Sequence, residues 1–460
     1  MNSAEAAARS IARTLRDAGH QAYFAGGCVR DLLLGVEAKD FDVATSALPE
    51  QITALFERTV QVGAHFGVVL VQLAFDEAMI STEVATFRHD GAYTDGRRPD
   101  AVRFSADPRE DVQRRDFTVN GMLFDPLASH DEEGEAFLDF VGGRNDLAHG
   151  IVRAIGDAEL RFAEDKLRML RAVRFAARLN FEIEPATFAA ICVHASEIAQ
   201  VSPERIREEL TRMLTEGGAH RAFELLDRTG LLPQILPEVT RMHGVQQPPQ
   251  YHPEGDVYVH TLMLLDHLPA GSSATLAWGM LLHDIGKPAT FQPPDPAKPG
   301  DRIRFNGHVE VGARIAEEIL KRLRFSNEDS AQILLLIRNH MRFGDVLNMR
   351  SATLKRFLRL PQFGEHLALH KADCLSSHGR LELFEFARHQ YECAEESHLR
   401  PVLLVSGRDL IEAGYRPGPD FKTMLEFAED AQLEGSVQTK GEGLRLVQDR
   451  FGLPRSGKIS

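Results

Sequence analysis

The chain lacks any apolar run that could cross a membrane. Runs such as ILLLI, residues 333–337, are far shorter than the roughly 20 apolar residues that a transmembrane helix needs. The N-terminal segment has no apolar core of the kind that marks a secretory signal. Cysteine is scarce as well, with four among 460 residues and no Cys-x-x-Cys pair. These absences argue against a membrane protein and a disulfide scaffold, and we expect reduced thiols and a cytoplasmic location.

The chain has fewer positive than negative charges overall, but some of its segments are basic. The formal net charge is −14, whereas proteins that bind nucleic acid are usually basic. Residues 161–178, however, carry six cations and two acids, and residues 95–117 are also rich in arginine. An acidic protein with basic segments of this kind is compatible with binding RNA along one track.

Hydrophobic periodicity changes near residue 150. Before it, strand-like alternation is interleaved with short helical patterns, as in residues 21–140. After it, strand patterns fade and helical patterns with proline and glycine breaks continue to the end. The segment 157–183 is predicted to be helical. The sequence therefore predicts an α+β fold, with a mixed first part and an all-α remainder.

The stretch AGGCVRDLLLGVEAKDFDVAT, residues 25–45, contains two aspartates that flank one phenylalanine. In a strand, residues two apart face the same side, so Asp40 and Asp42 are predicted to present neighbouring carboxylates. Two such charges need a cation to be stable together. Mg²⁺ suits this donor set, because it binds one or two carboxylates together with substrate phosphates. A lone D-x-D pair would more often be the solvated face of an edge strand, but its surroundings favour the metal site.

Those surroundings indicate phosphate binding. The Gly26-Gly27 turn opens a short helix, whose first backbone N–H groups can cradle a phosphate. Arg30 can add a charge-assisted hydrogen bond. A third carboxylate is expected from a neighbouring strand, and Glu83 is the candidate. Two metal ions held in this way form the clamp used in phosphoryl and nucleotidyl transfer.

Two further segments complete the set, RRDFTVNGM at 114–122 and EDKLRMLRAVRF at 164–175. With GGCVRDLLLG and KDFDVAT they closely resemble the class II tRNA nucleotidyltransferase and bacterial poly(A) polymerase family. The resemblance implies a polymerase-β-like head followed by a helical neck, body and tail. It divides the chain into a catalytic head at 1–150, a nucleotide- and RNA-binding neck at 151–230, a body at 231–400 and a tRNA-binding tail at 401–460.

Asp165 and Arg168 are predicted to select the incoming base. Three residues apart on one helix, they can converge. A carboxylate accepts from an exocyclic amine and a guanidinium donates to a ring acceptor. Cytosine and adenine both offer that pair of groups, and uracil and guanine offer the opposite pattern. The alternative for EDKLR is a solvated helix with internal ion pairs.

The resemblance also assigns further residues to the nucleotide. Arg171 and Arg174 would bind nucleotide or primer, Arg115 and Asp116 would contact the ribose and triphosphate, and Asn120 would hold that turn. An arginine-rich arm at 88–111 resembles the family's flexible loop, with an ordinary surface loop as the alternative. Its arginines are Arg88, Arg97, Arg98, Arg103 and Arg109.

The second half contains histidines and aspartates in the order H…HD…H…H…D, which resembles the HD phosphohydrolase superfamily. Imidazoles and carboxylates on facing helices can hold one or two transition metals and activate water. Lys287 would then lie near a phosphate. The alternative is a helical body that keeps these residues for packing. The predicted HD metal ligands are His260, His283, Asp284, His308, His340 and Asp373.

The sequence thus predicts an enzyme that adds CCA to the 3′ end of tRNA from CTP and ATP, with Mg²⁺ in the head and a second, phosphohydrolase activity in the HD domain. An A-adding tRNA nucleotidyltransferase or a poly(A) polymerase stays open within the family. An HD phosphohydrolase with a nucleotide-binding head and an RNA-binding scaffold are the alternatives outside it. The oligomeric state also stays open.

Overall fold

The computed structural model describes residues 2–62, 67–75, 78–91, 101–128, 136–250, 252–253, 255–394 and 402–453. The chain divides into two compact units. The first comprises residues 1–240 with 269–271 and 322–324. The second comprises 241–268, 272–321 and 325–460. The finer division into head, neck, body and tail stays a prediction.

The first unit contains a seven-stranded sheet in the order β3-β4-β5-β2-β1-β8-β9. Strands β2 and β5 run parallel, and the other neighbours in this sheet run antiparallel. Two small two-stranded sheets, β6-β7 and β10-β11, accompany it. The strands are β1 Ala22–Ala25, β2 Asp42–Thr45, β3 Thr59–Gln61, β4 Val68–Phe75, β5 Ala78–Thr86, β6 Arg88–Asp90, β7 Val102–Phe104, β8 Met122–Phe124, β9 Phe137–Asp139, β10 Ile151–Val152 and β11 Glu182–Ile183.

Helices cover this sheet and continue beyond it in the first unit. They are α1 Ser3–Asp17, α2 Gly27–Leu33, α3 Pro49–Leu55, α4 Pro108–Gln113, α5 Gly143–His149, α6 Ala158–Glu164, α7 Leu167–Leu179, α8 Pro185–His194, α9 Pro203–Thr215, α10 Ala219–Arg228, α11 Leu232–Ile235 and α12 Pro237–Thr240. Two 3₁₀ helices lie at Thr118–Asn120 and Ala195–Gln200.

Helix α1 illustrates how the sequence builds the head. The side chain of Asn2 caps the helix by accepting a hydrogen bond from the backbone N–H of Glu5. Ala8, Ile11 and Leu15 recur at helical spacing and are fully buried. The helix packs on β1, β2, β4 and β5 through this stripe. Burying a side chain the size of Ile or Leu stabilises the fold by roughly 1.5–3 kcal/mol.

The segment 157–183 is not one continuous helix, and that prediction is wrong. Helix α6 ends at Glu164 and α7 begins at Leu167. Asp165 has an extended backbone, with φ −146° and ψ 106°. Its side-chain Oδ1 accepts a hydrogen bond from the backbone N–H of Leu167 at 3.1 Å. An aspartate that binds the backbone two residues on competes with the helical hydrogen bonds, which explains the break.

In the described part of the second unit the regular elements are helices, and two isolated β-bridges join Gln246 to Asp256 and Gln292 to Arg304. Its helices are α13 Val257–Asp266, α14 Ala274–Leu282, α15 Lys287–Thr290, α16 His308–Arg322, α17 Asn327–Asn339, α18 Ser351–Leu358, α19 Phe363–Ser376, α20 Glu382–Cys393, α21 Gly407–Glu412, α22 Asp420–Leu433 and α23 Lys440–Phe451, with a 3₁₀ helix at His340–Asn348. Together with the sheet of the first unit, these helices confirm the α+β prediction.

Helix α14 forms the centre of the second unit. Every residue from Thr275 to Leu282 is buried, including Trp278. A helix that is apolar on all sides is a core helix, and here α13, α17 and α19 pack around it. No helix in the described ranges combines the length and the apolar character that crossing a bilayer requires.

Candidate functional site

An open cavity of about 490 Å³ lies in the first unit, where β1 turns into α2. Nine of its 17 lining residues are arginines and three are aspartates. So many guanidinium groups around one cavity suit a ligand with several negative charges, such as a triphosphate. The lining residues are Gly26, Gly27, Arg30, Asp42, Arg114, Arg115, Asp116, Asn120, Asp165, Leu167, Arg168, Arg171, Arg174, Phe175, Arg178, Arg205 and Arg212.

Asp42 and Glu83 lie beside each other at one end of the sheet. Strands β2 and β5 are parallel and Val43 pairs with Val84, so the residues one position earlier are neighbours across the two strands. Desolvation by the surrounding protein raises the pKa of Asp42 to about 6, although part of the side chain is exposed. The charges of Glu83 and Asp40 raise this pKa further, and Arg115 opposes them. A cation bound here would relieve that repulsion.

Asp40 does not lie in the strand, so that part of the prediction is wrong. Strand β2 begins at Asp42, because its partner Ala25 is the last residue of β1 and Gly26 turns the chain away. The alternation of exposed and buried side chains nevertheless extends back through Phe41. The ring of Phe41 packs against Phe24, with centroids 5.2 Å apart, and keeps Asp40 on the exposed side.

The carboxylates of Asp40, Asp42 and Glu83 are too far from one another to hold a metal ion by themselves. Among the described residues, two groups of histidines and aspartates have ligand atoms within 4.8 Å of one another, and neither contains Asp40, Asp42 or Glu83. An ion held by these carboxylates would take its other ligands from water or from substrate phosphate, as Mg²⁺ usually does. The donor set therefore fits Mg²⁺ that arrives with a nucleotide.

The turn at Gly26 requires glycine. Its backbone has φ 77° and ψ −136°, a conformation that residues with a side chain rarely adopt. A Cβ atom at Gly26 would lie 3.5 Å from Nη1 of Arg115 and 3.7 Å from Oδ2 of Asp42. The turn thus brings bare backbone next to a cation and a carboxylate, and both Gly26 and Gly27 line the cavity.

Four of the predicted binding residues form one hydrogen-bonded chain. Arg30 donates from Nη1 to Oδ1 of Asn120 at 2.8 Å. Asn120 donates from its amide to Oδ1 of Asp116 at 3.3 Å. Arg171 donates from Nε and Nη2 to Oδ2 of Asp116, at 2.8 and 2.6 Å. Burial favours a higher pKa for Asp116, but Arg171 outweighs it, and the pKa lies below its ordinary value.

The side chain of Arg30 is held in place by contacts within the protein. Its side chain is almost fully buried, with the residue 2% exposed. Its Nε and Nη2 donate to Oδ1 of Asp31 at 2.9 and 2.7 Å, and the guanidinium lies 5.4 Å from the ring centre of Phe175. These contacts make Arg30 part of the cavity wall, and its contact with phosphate stays a prediction.

Asp165 and Arg168 lie on the same cavity but not on one helix, and they bind other partners. Asp165 sits in the break between α6 and α7, and Arg205 donates to both of its oxygens, at 3.2 and 2.7 Å. Arg168 donates from Nη1 to Oε2 of Glu164 at 2.6 Å. The expected geometry of two residues three apart on a helix is therefore wrong, because the helix is broken between them.

Arg174 and Arg115 are also anchored by acids. Arg174 donates from Nε to Oε2 of Glu209 at 2.6 Å and lies 4.4 Å from the ring centre of Phe175. Arg115 donates to Oδ2 of Asp111 at 3.0 Å. Guanidinium groups fixed in this way present their remaining N–H donors in a preset arrangement.

Four cavity arginines were missing from the predicted site: Arg114, Arg178, Arg205 and Arg212. Arg205 and Arg212 lie seven positions apart on α9, which places them on one face of that helix. This spacing is a signal in the sequence. It could not reveal that α9 packs against α7 and so delivers this face to the cavity.

The arginine-rich arm is partly a hairpin. Arg88 lies in β6 and Arg103 in β7, which pair antiparallel, and Arg109 lies in α4. Arg97 and Arg98 lie outside the described residues.

In the second unit, the six predicted HD ligands meet although they come from five separate segments. His260 lies on α13 and Asp373 on α19, and their Nε2 and Oδ1 atoms are 3.2 Å apart. His308 begins α16 and His340 follows α17, with their Nε2 atoms 3.4 Å apart. They form two groups with ligand atoms within 4.8 Å: His260, His283 and Asp373, and Asp284, His308 and His340.

Asp284 connects the two groups. Its Oδ2 lies 3.1 Å from Nε2 of His283 and 3.9 Å from Nε2 of His260. Its Oδ1 lies 3.7 and 3.8 Å from the Nε2 atoms of His308 and His340. A carboxylate between two sets of imidazoles is a suitable bridge for one or two transition metal ions.

The histidines are held in the tautomer that binds metals. His283, His308 and His340 each donate Nδ1–H to the backbone carbonyl three residues earlier, at 2.9, 2.9 and 2.7 Å. Since a carbonyl can only accept, Nε2 carries the lone pair in each ring and faces the cluster. Burial, reinforced by the nearby His283, lowers the pKa of His340 to about 4, so this ring is neutral at pH 7.

The two aspartates stay ionised despite their burial. Burial favours a higher pKa for Asp284, but His283 and Lys287 outweigh it and the pKa lies well below its ordinary value. The pKa of Asp373 is lowered in the same way, with His260 as the chief opposing group. Lys287 lies 2.6 Å from Oδ2 of Asp284. A cavity of about 620 Å³ opens on Asp284, Lys287, His308, His340 and Asp373.

Three family models match the chain. The one described as "Poly A polymerase head domain" matches residues 22–153. The one described as "Probable RNA and SrmB- binding site of polymerase A" matches residues 180–242. The one described as "HD domain" matches residues 256–374. The three matches follow the order predicted from the motifs.

Known proteins resemble the chain, some over nearly its whole length and some over about half of it. A CCA-adding enzyme from Levilactobacillus brevis is 32% identical over 445 residues, which cover 95% of this chain and 96% of that protein. One from Geobacillus stearothermophilus is 44% identical over 224 residues, 49% of this chain and 53% of that protein. The crystal structure of the Bacillus stearothermophilus CCA-adding enzyme in complex with CTP has 27% identity and a TM-score of 0.73, and covers 98% of both chains.

Proposed function

The chain belongs to the family of CCA-adding enzymes, and on this premise we propose that it adds C, C and A to the 3′ end of tRNA from CTP and ATP. The observation that carries the proposal is the arginine-lined cavity next to Asp42 and Glu83. It offers cations for a triphosphate and carboxylates for a metal ion at one place.

In the proposed reaction, the 3′-hydroxyl of tRNA attacks the α-phosphate of the nucleotide and pyrophosphate leaves. Mg²⁺ held by Asp40 and Asp42 would supply stabilisation of the negative charge on both the attacking and the leaving oxygens. Glu83 is proposed as the third carboxylate of this site. Arg115 and the backbone N–H groups after Gly26 are proposed to hold the triphosphate, so that the α-phosphate faces the carboxylates.

Asp165 and Arg168 are proposed to select the base. Both line the cavity, and each is held by another charged group and not by its partner. Asp165 would accept from the exocyclic amine of cytosine or adenine, and Arg168 would donate to the adjacent ring nitrogen. Arg171 and Arg174, one and two turns further along α7, are proposed to bind the nucleotide or the primer, with Asp116 and Asn120 fixing the turn beside them.

An A-adding enzyme or a poly(A) polymerase is the nearest competing function. The head match, described as a poly(A) polymerase head, is compatible with either. A relative that covers 95% of this chain is a CCA-adding enzyme, and a similar crystal structure contains CTP, a substrate that a pure A-adding enzyme would not use. These two findings favour CCA addition.

A second activity is proposed for the HD site. The observation that favours it is the convergence of four imidazoles and two carboxylates, with the Nε2 lone pairs of three of the rings facing the cluster. A transition metal bound there would supply Lewis-acid activation of water for hydrolysis of a phosphate ester. Lys287 and the cavity beside it are proposed to receive the phosphate. His283→Ala should abolish phosphatase activity and leave nucleotide addition intact, and unchanged phosphatase activity would contradict this role.

The proposed function is tested on three tRNA transcripts that end before CCA, after the first C and after both Cs. Each is incubated with the protein, Mg²⁺ and CTP, ATP or both. Addition of C, C and A followed by arrest supports the proposal. Use of ATP on the CC-ended transcript alone identifies an A-adding enzyme, and long A tails identify a poly(A) polymerase. No incorporation on any transcript would move the function to the HD site.

We place these reactions in the cytoplasm, where tRNA and both nucleotides are found.

A further inference from the structure

The carboxylate of Asp165 is held by an arginine from another helix. Arg205, near the start of α9, donates from Nη1 to Oδ1 at 3.2 Å and from Nη2 to Oδ2 at 2.7 Å. The two side chains are 21% and 17% exposed, so solvent screens this ion pair only partly. A fork of two parallel hydrogen bonds fixes the plane of the carboxylate as well as its position.

The hydrogen-bond capacity that remains on Asp165 suits an exocyclic amine. A carboxylate has about four acceptor positions. In the described structure, Oδ1 accepts from Arg205 and from the backbone N–H of Leu167, and Oδ2 accepts from Arg205. One acceptor position on Oδ2 is therefore left for a ligand.

The capacity that remains on Arg168 suits a ring nitrogen. Its Nη1 donates to Oε2 of Glu164 at 2.6 Å and to the carbonyl of Arg161 at 3.2 Å, and its Nη2 donates to the carbonyl of Arg114 at 3.1 Å. Within the described part of the chain, these contacts use three of the five N–H donors of the guanidinium. One acceptor and two donors are thus presented to the same cavity.

We propose that Arg205 is a positioning residue that sets the preference for cytosine and adenine by keeping Asp165 apart from Arg168. The inference rests on the proposed base-selecting function of that pair. Without Arg205, the carboxylate of Asp165 keeps only the backbone N–H of Leu167 as a hydrogen-bond donor, and it lies three residues from Arg168 in a half-buried place. The two would then pair with each other, and neither group would be left to recognise a base.

The test compares Arg205→Met and Arg205→Lys with wild-type protein on the CC-ended and the C-ended tRNA transcripts. The measured quantity is kcat/KM for each of CTP, ATP, UTP and GTP. Arg207→Met is the matched control, because Arg207 lies on the same helix but outside the cavity lining. Thermal unfolding of all variants separates a loss of fold from a loss of selectivity.

We expect Arg205→Met to lower the ratio of correct to incorrect nucleotides by about tenfold or more, since one well-made base contact discriminates by roughly that factor. Arg205→Lys should recover part of the ratio, because an ammonium keeps the charge but not the fork. Equal losses for all four nucleotides, or a wild-type ratio in both variants, would overturn the proposal. If Arg205→Met does not fold, Arg205→Lys decides alone.

Asp165→Ala separates the base-selecting function of Asp165 from the positioning role of Arg205. If it keeps the wild-type ratio, the base-selecting function of Asp165 has failed, and the role of Arg205 fails with it. If it lowers the ratio and the Arg205 variants do not, only the role of Arg205 is wrong.

Discussion

Arg171 and Asp116 form a two-pronged ion pair, with Nε and Nη2 of the arginine 2.8 and 2.6 Å from the same carboxylate oxygen. The pair joins α7 to the RRDF segment that precedes the 3₁₀ helix Thr118–Asn120. Asp116 is 8% exposed and also accepts from the backbone N–H of Phe117. The pair therefore couples the proposed base-selecting helix to the wall of the phosphate cavity.

Arg171→Met should destabilise the first unit by about 3 kcal/mol at pH 7, because it leaves a buried carboxylate without its cation. The pKa of Asp116 is below its ordinary value in the folded protein. Its stabilising effect is therefore present above the unfolded pKa of about 4 and is lost as the pH falls through the folded pKa. Denaturant unfolding from pH 8 down to pH 3 should show the difference from wild type shrinking at the acid end.

Arg408→Met provides the comparison. Arg408 pairs with Glu412, but their side chains are 86% and 57% exposed. An exposed pair contributes about 1 kcal/mol or less. A similar loss of stability in both variants would contradict the special role of the Asp116 pair.

Gly26→Ala should cost roughly 1–3 kcal/mol of stability, because alanine is strained at φ 77° and ψ −136°. It should also raise the KM for CTP and ATP, since the new methyl group enters the cavity between Arg115 and Asp42. Steady-state kinetics and thermal unfolding measure the two effects separately.

Gly19→Ala is the control for the effect on KM. Gly19 also has a positive φ, 87°, but a Cβ atom there has no neighbour within 4 Å among the described residues. It should lose stability without any change in KM. If Gly26→Ala and Gly19→Ala affect KM equally, the turn at Gly26 does not bind the triphosphate.

Asp42→Asn should stabilise the metal-free protein at neutral pH. The pKa of Asp42 is raised to about 6 by desolvation, Glu83 and Asp40, so its charged form opposes folding. This opposition is complete above pH 6 and disappears as the pH falls to the unfolded value near 4. The variant should therefore unfold at a higher temperature than wild type at pH 8 and at the same temperature at pH 4.

Mg²⁺ should stabilise wild-type protein more than Asp42→Asn. Wild-type protein gains stability when the ion binds the folded state, by about 1.4 kcal/mol at a tenfold excess over Kd, and Asp42→Asn should gain little. Thermal unfolding with and without Mg²⁺ at pH 8 measures both effects. If saturating Mg²⁺ raises the unfolding temperature of wild-type protein no more than that of Asp42→Asn, Asp42 is not a ligand.

The sequence predicted contacts best where they follow from regular secondary structure. Glu83 was predicted as a third carboxylate from a neighbouring strand, and the parallel pairing of β2 with β5 brings it beside Asp42. The sequence prediction failed at Asp165. The residues on both sides have a helical pattern, and that pattern gives no sign of the backbone hydrogen bond that breaks the helix there. The prediction also missed Arg205, which lies on α9 and reaches Asp165 only because α9 packs against α7. A local pattern carries no information on such a contact between residues forty positions apart.

The HD cluster makes a prediction that does not depend on nucleotide addition. After dialysis against Mn²⁺ or Zn²⁺, wild-type protein should retain one or two ions per chain, measured by mass spectrometry of the metal. Asp284→Asn should retain fewer, because Asp284 connects both groups of ligands. His389→Ala, which removes an exposed histidine on α20 outside the cluster, should retain as many as wild type. Equal metal content in wild type and Asp284→Asn would contradict the bridging role of Asp284, and no retained metal in wild type would show that the cluster is only a buried polar network.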